Sequence, residues 1–271
     1  MPQAKTVHPP AEESVRTQLP VAAPAAGLPT AISFEADAGA GFENLTKDDY
    51  VIPIVAILQT TSPQVDPTDP TYIESAKAGQ FINTANNKTY TEIALIPCAY
   101  ERVMNEWVPR EEGGGFKGRH KIDSDVVKNA KRDEDNGNLT IENGNVLVDT
   151  RNFFCLLVTD TGFSPVVVPF KSTQIKKARQ WMFKADEIKL TRADGSRFQA
   201  PLFSHIWRFG TVPESNDKGK WAGFKQIGDP QIITDPALYT AAREFRDLVL
   251  KGAVVAAEET AASKGGKDIP F

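Results

Sequence analysis

Apolar positions along the chain come mostly in strand-length runs. Residues 49–58 are β-branched and apolar and predict a buried strand in spite of Pro53. Residues 79–84 predict a short strand closed by a turn at 85–88. A long strand is predicted over 91–107, carrying Ile93, Leu95, Ile96, Cys98, Tyr100 and Val103. Residues 152–159 and 165–170 flank Asp160-Thr161-Gly162 and predict a hairpin, and their continuous apolarity predicts burial on both faces. Residues 201–209 and 220–225 predict two more strands, with Gly228-Asp229-Pro230 ending the second.

Two stretches follow the helical period instead. Over 171–183, Ser172 or Thr173 offers a cap, and Ile175, Ala178 and Met182 share one face. Lys176, Lys177, Gln180 and Lys184 lie along another, with Trp181 at the edge. Further on, Asp235-Pro236 supplies an N-cap and a first-turn proline. The stripe Leu238, Ala241, Ala242, Phe245, Leu248 and Val249 predicts a helix packed on the core.

The remainder divides the chain. Residues 1–41 are rich in Pro and Ala and poor in large apolar groups, so they predict a disordered arm. Residues 42–250 form the expected folded domain, mainly β with a few helices. Within it, 111–150 is the most polar part, with turn signals Asn136-Gly137-Asn138 and Asn143-Gly144-Asn145, and predicts an insertion between core strands. Residues 251–271 predict a flexible tail whose last few residues turn apolar again.

The composition changes this picture little: 271 residues, 41% apolar and 24% charged, suit a globular domain with a sizeable core. No apolar run reaches membrane-spanning length and the N-terminus lacks a secretory apolar region, so a cytoplasmic protein without a membrane partner is expected. Cys98 and Cys155 lie far apart in strand-like runs and predict free thiols; no metal or cofactor spacing is present.

Charge changes more. The net charge is −4, yet residues 151–225 hold 13 Lys and Arg against 6 Asp and Glu, whereas 41–150 hold 11 against 18. Such polarity allows one cationic face on an acidic protein. Each of the four tryptophans also has a cation within three residues: Trp107 with Arg110, Trp181 with Arg179, Trp207 with Arg208, and Trp221 with Lys220. The glycine-hinged stretch after Trp107 adds Phe116, Lys117, Arg119 and Lys121. Aromatic rings among cations suit stacked bases on a phosphate backbone. The candidate contacts are Trp107, Arg110, Phe116, Lys117, Arg119, Lys121, Lys176, Lys177, Arg179, Trp181, Arg208, Lys220 and Trp221. Trp107 and Trp221 are the expected surface tryptophans, and Phe116 is expected to be exposed for want of a core to join. The plainer alternative is that tryptophans of a β domain are core and that 100–121 is a polar hairpin. Gly113-Gly114-Gly115 with Lys117 lacks the ending of a nucleotide-binding loop. No catalytic grouping has useful spacing, so no enzyme is expected. A metal-dependent nuclease built on Glu111-Glu112 or Asp133-Glu134-Asp135 is the weakest alternative.

The chain closes with Asp268-Ile269-Pro270-Phe271 behind Gly265-Gly266. A ring, a free carboxylate, a stiff proline and an acidic residue on a tether make a peptide hook for a pocket with a basic rim. These four residues resemble the C-terminal tip of bacterial single-stranded DNA-binding proteins. That resemblance implies an OB-type barrel that stacks bases, and recruitment of replication, recombination and repair proteins through Asp268, Ile269, Pro270 and Phe271. Here Lys264 and Lys267 precede the tip where that family has acidic residues. The chain looks more like a phage-encoded counterpart acting in the host cytoplasm. The expectation is therefore an OB-type barrel with insertions that binds single-stranded DNA without sequence preference. The sequence leaves room for a homo-oligomer. A phage structural or assembly protein is the alternative from another class.

Overall fold

Two long strands carry the fold, and their pairing decides where everything else sits. In the computed structural model, residues 51–134, 137–217 and 219–252 are described, with 37, 40, 41, 255 and 256 besides. All but those first three single residues of the expected arm, and the whole of the terminal tip, lie outside the described residues.

The apolar run after Asp49 is divided at Pro53 into β1 (Val51–Ile52) and β2 (Val55–Ile57). Proline has no N–H for a ladder, so the break falls where the chain must change partners. β2 continues a small sheet with β3 (Phe81–Asn83) and β4 (Thr89–Tyr90). Then come β5 (Ile93–Trp107), β6 (Phe116–Lys121), the single-turn helix α1 (Asp125–Lys128), β7 (Lys131–Arg132) and β8 (Leu139–Thr140). β9 (Val146–Thr159) and β10 (Gly162–Lys171) make the predicted hairpin. α2 (Ile175–Glu187), the hairpin strands β11 (Lys189–Thr191) and β12 (Arg197–Gln199), then β13 (His205–Asn216) and β14 (Gly219–Ile232) follow. α3 (Pro236–Leu250) and a short β15 (Val255–Ala256), parallel to β1, complete the described chain.

β5 and β9 pair antiparallel from Ala94–Val158 to Trp107–Val146. The first half of this ribbon is flanked by β13 and β10, the second half by β6 and β8. With β14 and β7 at its ends, the eight-stranded sheet curls into a half-barrel, consistent with an OB-like β barrel, and helices are few. Much of the polar stretch 111–150 lies at the far end of the ribbon, where β6 pairs onto β5, β8 onto β9 and β7 onto β8.

Alternation along the ribbon fills two cores. Ile93, Leu95, Phe153, Cys155 and Leu157 face one side with Phe170, Phe209 and Phe224. Ile96, Cys98, Phe154 and Leu156 face the other, under Leu238, Ala242 and Phe245 of α3. A bulge between Pro97 and Ala99 resets the alternation. Both thiols are free and buried, and burial pushes that of Cys98 up to about 12. Asp235 caps α3 as predicted, its carboxylate accepting from the Ala237 N–H at 2.8 Å. α2 instead starts after a 3-10 turn over Ser172–Gln174, with no side-chain cap. Gly228-Asp229-Pro230 does not end β14. The register jumps from Arg208–Ile227 to Ile206–Gln231, and Gly228 takes φ +62° to let the extra residues bulge.

Three aromatic expectations are corrected. Trp181 is core, not edge: it is 2% exposed and stacks on Phe153 with centroids 4.2 Å apart. The helix turns its indole inward with Ala178 and Ala185 because the ring offers far more apolar area than Met182. Trp107 and Phe116 are also buried, against each other, with centroids 5.4 Å apart. They are register partners across β5 and β6, so pairing puts both rings on one face above Val148. The three glycines before Phe116, at φ +102°, +67° and +116°, serve the reversal into β6 and leave its ring no free swing.

Candidate nucleic-acid interface

The antiparallel pairing of β13 with β14 sets Glu214 directly opposite Trp221, on the same face of the hairpin. The Trp221 indole N–H donates to Glu214 Oε2 at 2.9 Å. Lys177 of α2 reaches Glu214 Oε1 at 2.8 Å, and the Gln174 amide donates to Oε2 at 3.0 Å. One carboxylate therefore ties an aromatic ring, a helix cation and the start of α2 together. Burial raises the pKa of Glu214, but the hydrogen bonds from Lys177, Gln174 and Trp221 and the Lys177 charge outweigh it and hold the carboxyl below its ordinary value.

Glutamine amides brace the outer edge of β14. Ala222 exchanges hydrogen bonds with the Gln59 side chain, N–H to Oε1 at 2.8 Å and Nε2 to carbonyl at 3.1 Å. The Phe224 N–H donates to Gln174 Oε1 at 2.9 Å. Side chains thus take up edge groups that would otherwise invite another strand.

Between α2 and this hairpin lies an open groove of about 410 Å³, lined by Thr173, Lys176, Lys177 and Gln180 on one wall and Glu214, Ser215 and Trp221 on the other. Lys177 and Gln180 also line an adjoining cleft of about 200 Å³, with Lys184, Lys225 and Gln226 at its rim and Trp181, Phe170, Phe209 and Phe224 beneath. Lys184 donates to Gln226 Oε1 across it at 2.8 Å. Cations outnumber the one carboxylate along these walls, and half-buried Trp221 presents a ring to them. Such a surface can hold an extended anionic chain and stack a planar group.

Of the sequence candidates, the structure brings together Lys176, Lys177 and Trp221. Arg179 is exposed on the same helix, and Trp181 lies below the adjoining cleft rather than in the groove. Lys220 precedes Trp221 on β14, so its side chain leaves from the opposite face. Arg208 is engaged with Glu92 at 2.6 Å. Lys117, Arg119 and Lys121 sit on β6 at the far end of the ribbon. Lys117 and Lys121 are exposed, while Arg119 is paired with Glu101 at 3.0 Å. The backbone of Arg110 lies in a 3-10 turn ahead of β6.

Nearby arginines of the ribbon are likewise neutralised. Arg102 and Arg151 bind Asp149 at 2.8 and 3.2 Å, and Arg151 also donates to the Tyr100 hydroxyl at 2.9 Å. Burial pushes Asp149 up, but the two arginines outweigh it and hold its carboxyl low. The cations gathered around the groove and its adjoining cleft are Lys176, Lys177 and Lys184 of α2 and Lys225 of β14.

Sequence reasoning missed Thr173, Gln180, Glu214, Ser215 and Lys225 as site residues. The helical period held a signal for one of them: Gln180 follows Lys176 and Lys177 at four and three residues, which puts it on the cationic face. Glu214 became legible only once the turn at Asn216–Gly219 fixed the hairpin register.

Among the described residues, no group of three or more His, Cys, Asp or Glu side chains converges for a metal, and no helix is long and apolar enough to cross a membrane. No curated protein and no solved structure proved similar to the chain. The model of the Pam3 phage gp34-like protein family does match, over residues 21–255, and the protein belongs to that phage family.

Proposed function

We propose that the protein binds single-stranded DNA without sequence preference, in phage replication or recombination, and presents its C-terminal tip to partner proteins. The observation that carries this reading is the groove in which Glu214 fixes the Trp221 ring beside Lys176 and Lys177. A tethered ring between cations gives a base a stacking surface and its phosphates counter-charges, and neither contact reads base identity. The terminal Asp268-Ile269-Pro270-Phe271 supports the second half of the proposal.

The test uses intrinsic fluorescence. Trp107, Trp181 and Trp207 are all buried, so Trp221 is the reporter. Poly(dT) should quench the wild-type emission, the quenching should weaken as salt rises, and Trp221→Phe should remove most of it. No quenching and no retention of oligonucleotide on filters at low salt would overturn the reading. Finding the protein in purified phage particles as well would then point to an assembly role.

A further inference from the structure

We propose that Phe183 is a second base-stacking platform and that a strand held at Trp221 continues along α2 onto the β11–β12 hairpin. The inference rests on the single-strand reading above and adds a direction and a footprint to it. Phe183 is 65% exposed, the most exposed large apolar side chain among the described residues. It lies one turn beyond Arg179, next to Lys184, and three residues from Gln180, which lines the groove. From Lys177, beside Trp221, it is about 9 Å further along the axis at about 1.5 Å per residue.

The surface stays cationic past the helix. Lys189, Arg192 and Arg197 are all exposed on the hairpin that follows α2. The Arg192 guanidinium lies 4.6 Å from the Phe198 ring centroid and its Nη1 donates to the Ser196 hydroxyl at 3.2 Å, which props it in place. Three carboxylates lie nearby: Asp194 accepts from the Ser196 N–H and hydroxyl, Asp186, in the last turn of α2, accepts from the Gln199 amide, and Glu187 is exposed at the helix end, so Arg179, Lys184, Lys189, Arg192 and Arg197 outnumber them. The row of charges therefore complements a phosphate chain, and an aromatic standing free in that row complements its bases.

The experiment moves the fluorophore. In a Trp221→Phe background, Phe183→Trp should create a new emission that poly(dT) quenches in a salt-dependent way. Phe183→Ala should weaken poly(dT) binding about 5- to 150-fold, the range of one base–aromatic stack. Replacing Arg192 and Arg197 together by Ala should lower the slope of log affinity against log salt by about 1.4, at about 0.7 per phosphate. Phe183, Arg192 and Arg197 are exposed, so substitutions there should leave melting curves close to those of their parent chain. Quenching at Trp221 in the native chain with none at Phe183→Trp overturns this inference and leaves the function standing. So does a dimer that Phe183→Ala turns into a monomer in sedimentation, because the ring would then serve self-association. No quenching anywhere overturns both.

Discussion

Glu214→Gln should loosen the fold and tighten the grip on a single strand. The carboxylate accepts from Lys177, Gln174 and Trp221 at 2.8, 3.0 and 2.9 Å. Its side chain is 22% exposed and that of Lys177 32%, so the ion pair is half in water and contributes about 0–1 kcal/mol. The two other hydrogen bonds fall from the charge-assisted class to the neutral one, a loss of roughly 1 kcal/mol each. The expected destabilisation is therefore about 2–3 kcal/mol, read as a lower urea midpoint at constant slope. Because the folded-state pKa of Glu214 is depressed below its ordinary 4.5, its contribution is full above that value and is lost as pH falls through the folded value. The gap between wild type and Glu214→Gln should accordingly narrow below about pH 4.5. Binding should move the other way. The substitution removes the one carboxylate of the groove and frees Lys177 for a phosphate. One extra phosphate contact steepens the salt slope by about 0.7, which makes the affinity change between 50 and 200 mM salt about 2.5-fold larger. Fluorescence titration of Glu214→Gln at several salt concentrations checks this. Weaker binding with a shallower slope would refute the reasoning, for Glu214 would then be needed for the ligand itself.

Trp181→Ala should cost about 3–5 kcal/mol, since its ring fills the interior between Phe153 and Phe209, and urea unfolding should show it. At denaturant concentrations where that variant remains folded, its poly(dT) affinity should match wild type. Removal of Phe271 should leave poly(dT) quenching unchanged and abolish capture of host replication proteins by an immobilised chain; capture that survives would remove the tip from the proposal.

The strands were legible because their signal is local. The runs at 91–107 and 152–159 are long and β-rich, and they became β5 and β9. The hairpin at Asp160-Thr161-Gly162 and the Asp235 cap depend on residues a few positions apart, and both stand where the sequence puts them. What sequence could not supply is which rings meet. Trp107 and Phe116 looked free because the glycines between them read as a hinge, yet strand pairing makes them neighbours and the rings bury each other. Trp181 sits in a strongly cationic helix, and only the packing of α2 on Phe153 shows that its indole faces inward. The candidate groove needs two segments more than thirty residues apart, 173–180 on one wall and Glu214, Ser215 and Trp221 on the other, with Gln59 bracing the second wall from outside, so it existed in the sequence only as separate residues.

The way the groove is braced bears on how it would bind. A flexible surface aromatic must lose rotamer freedom when a base stacks on it, and an edge strand must be stilled before it can serve as a wall. Here both losses are met on folding. Trp221 is tied through its indole N–H, and its strand is held at Ala222 by Gln59 and at Phe224 by Gln174. The same Gln174 also contacts Glu214, so the wall and the ring are fixed by one shared network. Cutting the network at a point remote from the groove should therefore weaken binding without removing a single contact to the strand. Gln59→Ala, with no atom lining the groove, isolates that effect: poly(dT) should dissociate faster from it in stopped flow, while association, governed by the unaltered cations, keeps its rate. Unchanged dissociation would mean that β14 is rigid without its glutamine brace, and that preorganisation has no part in the affinity.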